Sequence, residues 1–370
     1  MARLDSICKL NMGQSPDSAS YNKEGRGIPF FQGNADFGDL YPSVRIWCDA
    51  PTKIAYDGDI LISVRAPIGA LNIADRECCI GRGLAALTVN ESICNKKYLW
   101  YCISSKVDEL NAKGTGSTFK AISKNVLAET EIVLPDMEQQ IKIANKLELV
   151  FNLISLRKQQ LAKLDELVKS RFVEMFGDDV PTAKLGDVCR MINGDRGKNY
   201  PSGDDFVENG VPFVNAGHLQ NRKVDFCDMN YITEEKFNLL SQGKMQEGDI
   251  LYCLRGSLGK HGLVDFERGA VASSLVIIRC NQEQVLPQFL LYALEAPEIE
   301  LQLKAANNGS SQPNLSAASV KAYDIKLPTI EQQKQFVSFV ERTDKSKLEI
   351  QKSLAKLETL KKALMQKYFG

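Results

Sequence analysis

The sequence offers few residues for histidine-dependent catalysis. The chain contains two histidines, His218 and His261, and neither belongs to an H-E-x-x-H or an H-x-E…C-x-x-C arrangement. A zinc hydrolase or a zinc deaminase needs such spacing, because its ligands must meet around one ion. The glycine pairs within 81–83 and 256–259 lack the G-x-x-x-x-G-K-[ST] and G-x-G-x-x-G patterns of phosphate loops. The sequence therefore predicts no catalytic residue, no metal ligand and no resident cofactor.

Two aspartates, Asp59 and Asp249, stand in matching Gly-Asp-Ile-Leu segments. Paired carboxylates could hold a metal, but Gly-Asp before Ile-Leu is also typical of a turn that opens a buried strand. The chain lacks the Asn-Pro-Pro-Tyr or Asp-Pro-Pro-Tyr motif with which amino-methyltransferases hold a flipped base. We therefore interpret both aspartates as turn residues and expect no self-sufficient active site.

Side chains that suit nucleic-acid binding are more plentiful. Arginine, lysine, asparagine, glutamine and serine reach phosphates and base edges in a DNA groove. Any one of them alone is equally typical of a solvated surface, and for His218 a surface loop is the simpler interpretation. The predicted DNA-contacting residues are Lys23, Arg26, Gln32, Asn34, Arg65, Arg82, Ser117, Lys120, Arg196, Lys198, Asn215, His218, Arg222, Lys223, Arg255, Lys260, Ser310, Ser311, Gln312 and Asn314.

An internal repeat organises these residues. The segment Leu-Pro-x-x-Glu-Gln-Gln occurs twice, 193 positions apart, and the regions before and after it also match. Polar loops stand at equivalent places, because 114–120 matches 308–314 just before the strand that leads into each Leu-Pro. The matched pairs are 58–61 with 248–251, Arg65 with Arg255, 134–140 with 327–333, 161–164 with 354–357, and 176–177 with 369–370.

The elements that must position these side chains follow from hydrophobic spacing. Short apolar runs between glycine-rich turns predict mixed α+β units, mainly antiparallel, at 1–135 and 178–328. The segments 136–177 and 329–370 contain apolar residues near a period of 3.5, which predicts two long helices that pair as an antiparallel coiled coil. Each helix would be roughly 60 Å long at 1.5 Å per residue, so the pair would separate the two globular units as a spacer.

Composition sets limits on the function. The 370 residues include 46 basic and 46 acidic side chains, which excludes a uniformly basic nucleic-acid binder. No apolar run suits a signal peptide or a membrane span, so the sequence predicts a cytoplasmic protein without membrane contact. Its ten cysteines include no C-x-x-C pair, and we interpret them as small buried apolar residues.

The whole pattern resembles the specificity subunits of Type I restriction-modification systems. The resemblance rests on the duplicated Leu-Pro-x-x-Glu-Gln-Gln, the Gly-Asp-Ile-Leu…Arg…Gly segment in both halves, and the long helices that end Phe-Gly. It implies two target-recognition domains on double-stranded DNA, each for one half of a bipartite, asymmetric site. It also implies helices that set the spacer and bind partner subunits. This chain has no helical extension before its first globular unit, which leaves the packing of its termini open.

The resemblance implies partners that perform the chemistry. Two modification subunits would bind S-adenosylmethionine and methylate adenine, and two restriction or translocase subunits would use ATP and Mg²⁺. The second globular segment, 178–328, carries 15 basic and 20 acidic residues, so this chain alone should hold DNA weakly. We expect the modification subunits to supply much of the electrostatic attraction.

Two alternatives remain at this level. The chain could be a coiled-coil scaffold whose globular ends bind protein rather than DNA. Arg65 and Arg255 could contact DNA, in which case their loss weakens binding or relaxes specificity at one half-site. Their equivalence in the repeat is also consistent with two arginines that hold the turn of each unit.

Overall fold

The structure is a computed structural model that describes residues 1–116, 120–177, 179–306 and 314–370. These residues form two compact units, and each contains one globular stretch and part of both long helices. The first unit comprises 1–159 and 351–370, and the second comprises 160–350. The predicted boundaries at 135, 177 and 328 stay predictions, because the compact units divide each long helix rather than set it apart.

Three sheets and four short helices form the globular part of the first unit. The strands are β1 Ala2–Arg3, β2 Cys8–Met12, β3 Tyr21–Asn22, β4 Ile28–Phe31, β5 Trp47–Cys48, β6 Ile54–Ala55, β7 Ile60–Ser63, β8 Leu71–Ile73, β9 Cys78–Ile80, β10 Leu84–Val89 and β11 Glu131–Ile132. The helices are α1 Leu4–Ile7, α2 Lys96–Ser105, α3 Val107–Ala112 and α4 Lys124–Ala128. The strand orders are β1-β11, β2-β10-β7-β8 and β3-β5-β4-β9-β6.

A long helix, α5 Met137–Met175, follows, and the second unit then repeats these sheets with additions. Its strands are β12 Thr182–Lys184, β13 Cys189–Asn193, β14 Phe206–Val207, β15 Val211–Val214, β16 Leu219–Gln220, β17 Arg222–Val224, β18 Asn230–Ile232, β19 Lys244–Gln246, β20 Ile250–Cys253, β21 His261–Leu263, β22 Arg268–Val271, β23 Leu275–Cys280 and β24 Asp324–Lys326. Its helices are α6 Leu185–Val188, α7 Glu234–Leu239, α8 Pro287–Ala293, α9 Pro297–Ala306, α10 Ala317–Lys321 and the long α11 Ile330–Phe369. The strand orders are β12-β24, β13-β23-β20-β21-β17-β16 and β14-β18-β15-β22-β19.

The two strand orders confirm the predicted fold class and the internal repeat. The sheet β2-β10-β7-β8 corresponds to β13-β23-β20-β21, which the β16-β17 hairpin extends by two strands. Most neighbouring strands are antiparallel, as predicted, whereas β4-β9, β15-β22 and β17-β21 are parallel. The described helices include none long and apolar enough to cross a membrane.

The long helices pair antiparallel within each unit, as predicted. In the first unit Lys158 of α5 forms an ion pair with Glu358 of α11 at 3.3 Å. Earlier on α5, Leu147 shares a buried core with Phe369, whose ring centroid lies 5.4 Å from that of Tyr98. Residues later in α5 therefore contact residues earlier in α11, as expected for antiparallel helices. The burial of apolar side chains from the helices and the sheets in one core holds the helices against the sheets.

In the second unit the two helices exchange roles, because here the end of α5 packs beside the beginning of α11. Lys347 of α11 donates to Asp165 of α5 at 2.7 Å. Phe172 and Phe176 of the segment that ends α5 pack against Phe289 and Phe336, with ring centroids 5.1 to 6.3 Å apart. Each unit thus buries the aromatic end of the helix that begins in the other unit.

The duplicated Gln-Gln has a structural reason. The side chain of Gln140 is buried; its Oε1 accepts from the Asn95 N–H at 2.8 Å, and its Nε2 donates to the carbonyls of Ile93 and Pro135. Gln333 makes the same set of bonds with Leu286, Gln284 and Pro328. One amide group therefore ties the start of each long helix to the chain that leads into α2 or α8.

The Gly-Asp-Ile-Leu segments are turns that open buried strands, as interpreted. The Asp59 carboxylate accepts from the Tyr56 N–H, and the Asp249 carboxylate accepts from the Gln246 N–H, each at 2.9 Å. Eight of the ten cysteines are buried and Cys280 is half-buried, which fits the interpretation as small apolar residues. Cys227 is exposed, so for that residue the interpretation was wrong. It lies in the turn between β17 and β18, beside the exposed Phe226 and Asp228.

Candidate nucleic-acid interface

Four segments of the first unit meet where its strands end. The N–H of Gly81 donates to the carbonyl of Phe31 at 2.8 Å, and the Gly83 carbonyl accepts from the Val64 N–H at 2.9 Å. The Val64 carbonyl in turn accepts from the Ile122 N–H at 2.9 Å. A fifth segment crosses beneath them, because Gly13 lies so close to the Gly81 carbonyl that a methyl group there would collide. We call segments 13–15, 31–34, 64–66, 81–83 and 120–122 the first strand-end cluster.

The second unit joins its equivalent segments by the same backbone bonds. The Ala272 N–H donates to the Val214 carbonyl, the Leu254 N–H to the Ser274 carbonyl, and the Leu315 N–H to the Leu254 carbonyl, each at 2.8 Å. Gly194 passes beneath with the same close approach to the carbonyl of Ala272. Segments 194–196, 214–217, 254–256, 272–274 and 314–315 form the second strand-end cluster.

The first cluster gathers four of the predicted residues. Gln32, Arg65, Arg82 and Lys120 all have exposed side chains. Arg65 forms a backbone bridge to Ala121, next to Lys120, and Ala66 donates to the Lys120 carbonyl at 3.0 Å. The cluster is therefore a rigid backbone frame that presents three cations and one amide to solvent.

The second cluster surrounds a cleft of about 600 Å³. Arg196, Arg255 and Asn314 line it, together with the hydroxyl-bearing Ser316 and Ser319. Arg255 forms a backbone bridge to Asn314, in the same relation as Arg65 to Ala121. The sequence match placed Asn314 opposite Lys120, whereas the bridges pair it with Ala121, so that alignment was wrong by one residue. A shift of one residue in a loop leaves no mark on apolar spacing.

The carboxylate of Asp195 holds the loop that carries Arg196. It accepts from the N–H of Gly197 at 2.8 Å and from both the N–H and the hydroxyl of Ser241. These bonds lower the pKa of Asp195 below its ordinary value, with the Gly197 N–H as the largest cause. The carboxylate of Asp195 is thereby occupied by hydrogen bonds from Gly197 and Ser241.

His218 is buried, which corrects its interpretation as a surface-loop histidine. Its Nδ1 accepts from the Asn215 N–H at 3.1 Å, and its Nε2 lies 3.2 Å from the Asp228 carbonyl. Nε2 must therefore carry the proton of the neutral ring. In the first unit the Asp36 carboxylate accepts from the equivalent N–H, that of Gln32, at 2.7 Å. His218 thus positions Asn215 and has no ring nitrogen left for a ligand.

Arg222 is engaged inside the protein, which removes it from the solvent-facing set. Its guanidinium donates twice to Glu295, at 2.8 and 2.7 Å, and lies 4.4 Å from the ring centroid of Tyr292. Asn221 and Arg222 have positive φ and form the two-residue turn of the β16-β17 hairpin. The ion pair anchors that hairpin to the chain between α8 and α9.

The remaining predicted residues lie outside the clusters or at their edges. Lys260 is half-buried and donates to the Ala216 carbonyl at 3.1 Å. Asn34 opens a short helical turn after Gln32. Lys23, Arg26, Lys198 and Lys223 are exposed on loops and on a strand, where Arg26 lies 3.6 Å from Glu24. Ser117, Ser310, Ser311 and Gln312 lie outside the described residues. DNA contact by any of these residues stays a prediction.

Sequence reasoning missed two serines. Ser15 Oγ accepts from the Arg82 N–H, and the Ser273 carbonyl accepts from the Arg196 guanidinium, each at 3.3 Å. The signal that could have located Ser15 is the match of Gly13 with Gly194, because both follow equivalent strands and fix the register two residues ahead. The part of the chain that the structure describes contains no group of three or more His, Cys, Asp or Glu that could hold a metal ion.

Comparison with known proteins bears directly on the repeat. The model of the Type I restriction modification DNA specificity domain matches residues 1–166 and again 177–362. This chain belongs to that family. The two matches correspond to the two halves of the repeat, so the family's DNA specificity domain occurs twice.

Relatives with this family's description cover different shares of the chain. The putative type I restriction enzyme MjaX specificity subunit of Methanocaldococcus jannaschii is 42% identical over 161 residues, which is 44% of this chain and 38% of that protein. The type I restriction enzyme EcoBI specificity subunit of Escherichia coli is 21% identical over 411 residues, 99% of this chain and 84% of that protein.

A solved structure shares the fold. The Type-I restriction-modification system S subunit from M. genitalium superposes with a TM-score of 0.62, over 100% of this chain and 95% of that one. At 17% identity the likeness concerns the fold alone. It agrees with the two-unit architecture and with the helices shared between the units.

Proposed function

We propose that this chain is the sequence-specific DNA-recognition subunit of a Type I restriction-modification complex. Each unit binds one half of a bipartite, asymmetric site in double-stranded DNA. The observation that carries the proposal is the pair of strand-end clusters. Their backbone bonds coincide, whereas Gln32 and Ala121 in one are replaced by Asn215 and Asn314 in the other. A common frame with different side chains is what two readers of two different sequences require.

The proposal assigns the chemistry to partners. Two modification subunits bind S-adenosylmethionine and methylate adenine, and two restriction or translocase subunits use ATP and Mg²⁺. The exposed faces of α5 and α11 are the surfaces on which the modification subunits bind. The complex works in the cytoplasm, and this chain contributes recognition without catalysis. Its equal numbers of basic and acidic residues fit a subunit that relies on partners for phosphate neutralisation.

The test is methylome sequencing of a host that expresses this chain with its modification subunit. We expect one methylated motif made of two specific parts and a fixed gap. The purified chain alone, given duplex DNA and tritiated S-adenosylmethionine, should transfer no methyl groups. Methyl transfer without a partner would refute the non-catalytic assignment. If the complex protects no DNA sequence at all, the chain is a scaffold whose globular ends bind protein.

Two matched variants test the one-unit, one-half-site assignment. Gln32→Glu keeps the size of the side chain and removes its amide donor, and Asn215→Asp does the same while it keeps the cap on the Gly217 N–H. We expect the first variant to alter one part of the methylated motif and the second to alter the other. Arg76→Ala, in an exposed pair with Asp75, is the control. If both variants keep the complete wild-type motif, these clusters do not read the site.

A further inference from the structure

The two strand-end clusters exchange an arginine and a serine. Cys8 pairs with Val89 in the first unit as Cys189 pairs with Cys280 in the second, which makes Ser15 equivalent to Arg196. The backbone bonds to Phe31 and Val214 make Arg82 equivalent to Ser273. The first unit therefore has serine then arginine at these two places, and the second has arginine then serine.

The exchanged residues touch in both units. The Arg82 N–H donates to Ser15 Oγ in the first unit, and the Arg196 guanidinium donates to the Ser273 carbonyl in the second, each at 3.3 Å. Both arginines have exposed side chains, and neither forms an ion pair within the described residues. One arginine with an exposed side chain thus stands at this crossing in each unit, although the chain segment that carries it differs.

A second arginine accompanies it in both units. Arg65 and Arg255 are equivalent, are exposed, and follow the central strands β7 and β20. Neither side chain has a hydrogen bond or an ion pair within the described part of the chain, so neither holds its turn through its guanidinium. In the second unit Arg255 and Arg196 line one cleft. Each cluster therefore presents two guanidinium groups from neighbouring segments, and none of the four forms an ion pair within the described residues.

We infer that Arg65 with Arg82, and Arg255 with Arg196, form a two-arginine phosphate clamp in each unit. The inference rests on the proposed function. The two units bind different base sequences, so groups that contact bases must differ between them. What both half-sites share is the sugar-phosphate backbone, which fixes a protein's register without regard to sequence. An arginine retained at one crossing while its carrier segment changes matches that shared feature, and the planar fork of its guanidinium suits phosphate oxygens.

The test measures DNA binding by the complex with its modification subunits across a series of salt concentrations. Arg82→Ala and Arg196→Ala should each weaken binding to every duplex by about fivefold and lower the slope of log K against log salt by about 0.9. The double variants Ser15→Arg/Arg82→Ser and Arg196→Ser/Ser273→Arg move the guanidinium to the other segment. We expect both relocated forms to regain the wild-type slope and to methylate the wild-type motif.

Arg76→Ala and Arg268→Ala are the matched controls, since both arginines are exposed and paired outside the clusters. Thermal unfolding checks that each variant is folded. The clamp is refuted if the relocated forms bind no better than the alanine forms, or if an alanine form changes the methylated motif. If the wild-type complex itself shows no preferred site, the proposed function fails, and the clamp fails with it.

Discussion

The two units share their sheets but differ in how they hold the turn aspartate. In the first unit Asp59 accepts the Tyr56 N–H without an arginine partner. In the second, Asp249 also accepts two bonds from Arg279, at 2.8 and 2.7 Å. Thr88 stands at the register position of Arg279 in the first unit. Both turns therefore use the aspartate, whereas an arginine that supports it is present in the second unit and not at the matching position of the first.

A second difference is the β16-β17 hairpin, which extends one sheet of the second unit alone. It brings a local cost, because Asn221 and Arg222 both have positive φ. The bidentate pair of Arg222 with Glu295 offsets that cost. The comparison shows that the shared sheets coincide between the units, while the ionic contacts of Arg279 and Arg222 belong to the second unit.

The largest expected effect concerns a feature that both units share. Gln140→Leu and Gln333→Leu each leave one N–H and two carbonyls without a partner, which should lower the free energy of unfolding of the affected unit by about 3 kcal/mol. Both tryptophans, Trp47 and Trp100, lie in the first unit. Tryptophan fluorescence during urea unfolding therefore reports on the first unit, and circular dichroism reports on both.

Glu138→Gln and Glu331→Gln serve as controls, since these exposed residues stand two positions earlier on the same helices. If Gln140→Leu and Gln333→Leu differ by more than the experimental error, the two helix starts are not held alike.

The next effect should separate the units. Asp249→Asn leaves Arg279 without its carboxylate and should lower the free energy of unfolding by about 2 kcal/mol. Asp59→Asn should lower it by less than about 1 kcal/mol, because the amide oxygen still accepts the Tyr56 N–H. Hydrogen exchange of each unit measures the two values. Equal losses would contradict a separate contribution from Arg279.

A smaller effect should confine itself to the added hairpin. Arg222→Ala removes the pair with Glu295 and should cost about 1 to 2 kcal/mol, visible as faster hydrogen exchange in 219–224. Lys223→Ala, on the exposed face of the same strand, is the control and should leave exchange unchanged. A loss of DNA binding by Arg222→Ala with unchanged exchange would restore Arg222 to the interface.

The smallest effect is chemical rather than energetic. Iodoacetamide on the native protein should modify Cys227 first, because the other cysteines are buried or half-buried. Burial raises the pKa of Cys8, Cys78 and Cys94 to about 12, so their thiols stay protonated. Asp228 and Asp225 raise the pKa of Cys227, so its labelling should accelerate as pH increases through the alkaline range. Early modification of first-unit cysteines would show that this unit opens more readily than the second.

Much of the fold could be predicted from the sequence because apolar spacing and repeated motifs report burial. Leu147 and Phe172 lie at periodic positions, and both proved buried between the paired helices. Arg65 and Arg255 were found through the repeat, and both proved exposed at equivalent strand ends. Apolar spacing or the repeat is enough to identify such positions, without knowledge of their contacts with distant segments.

The rest depended on contacts between distant segments. The bond from Arg222 to Glu295 spans 73 residues and that from Ser15 to Arg82 spans 67, and neither leaves a period in the sequence. His218 resembled a loop histidine because its partners, Asn215 and Asp228, are backbone groups that any residue would supply. Cys227 was misjudged because its apolar neighbour Phe226 is itself partly exposed.

The exchange of helix ends has a genetic consequence. Residues 351–370 belong to the compact first unit, where Phe369 packs beside Tyr98, although they follow the whole second unit in the sequence. A stop codon that removes them would leave the second globular stretch intact and open the core of the first. The expected phenotype of such a truncation is faulty recognition of the half-site that the first unit binds, although the deleted residues follow the second unit in the sequence. Mutations at the two ends of this sequence should therefore not complement each other as defects of two separate domains would.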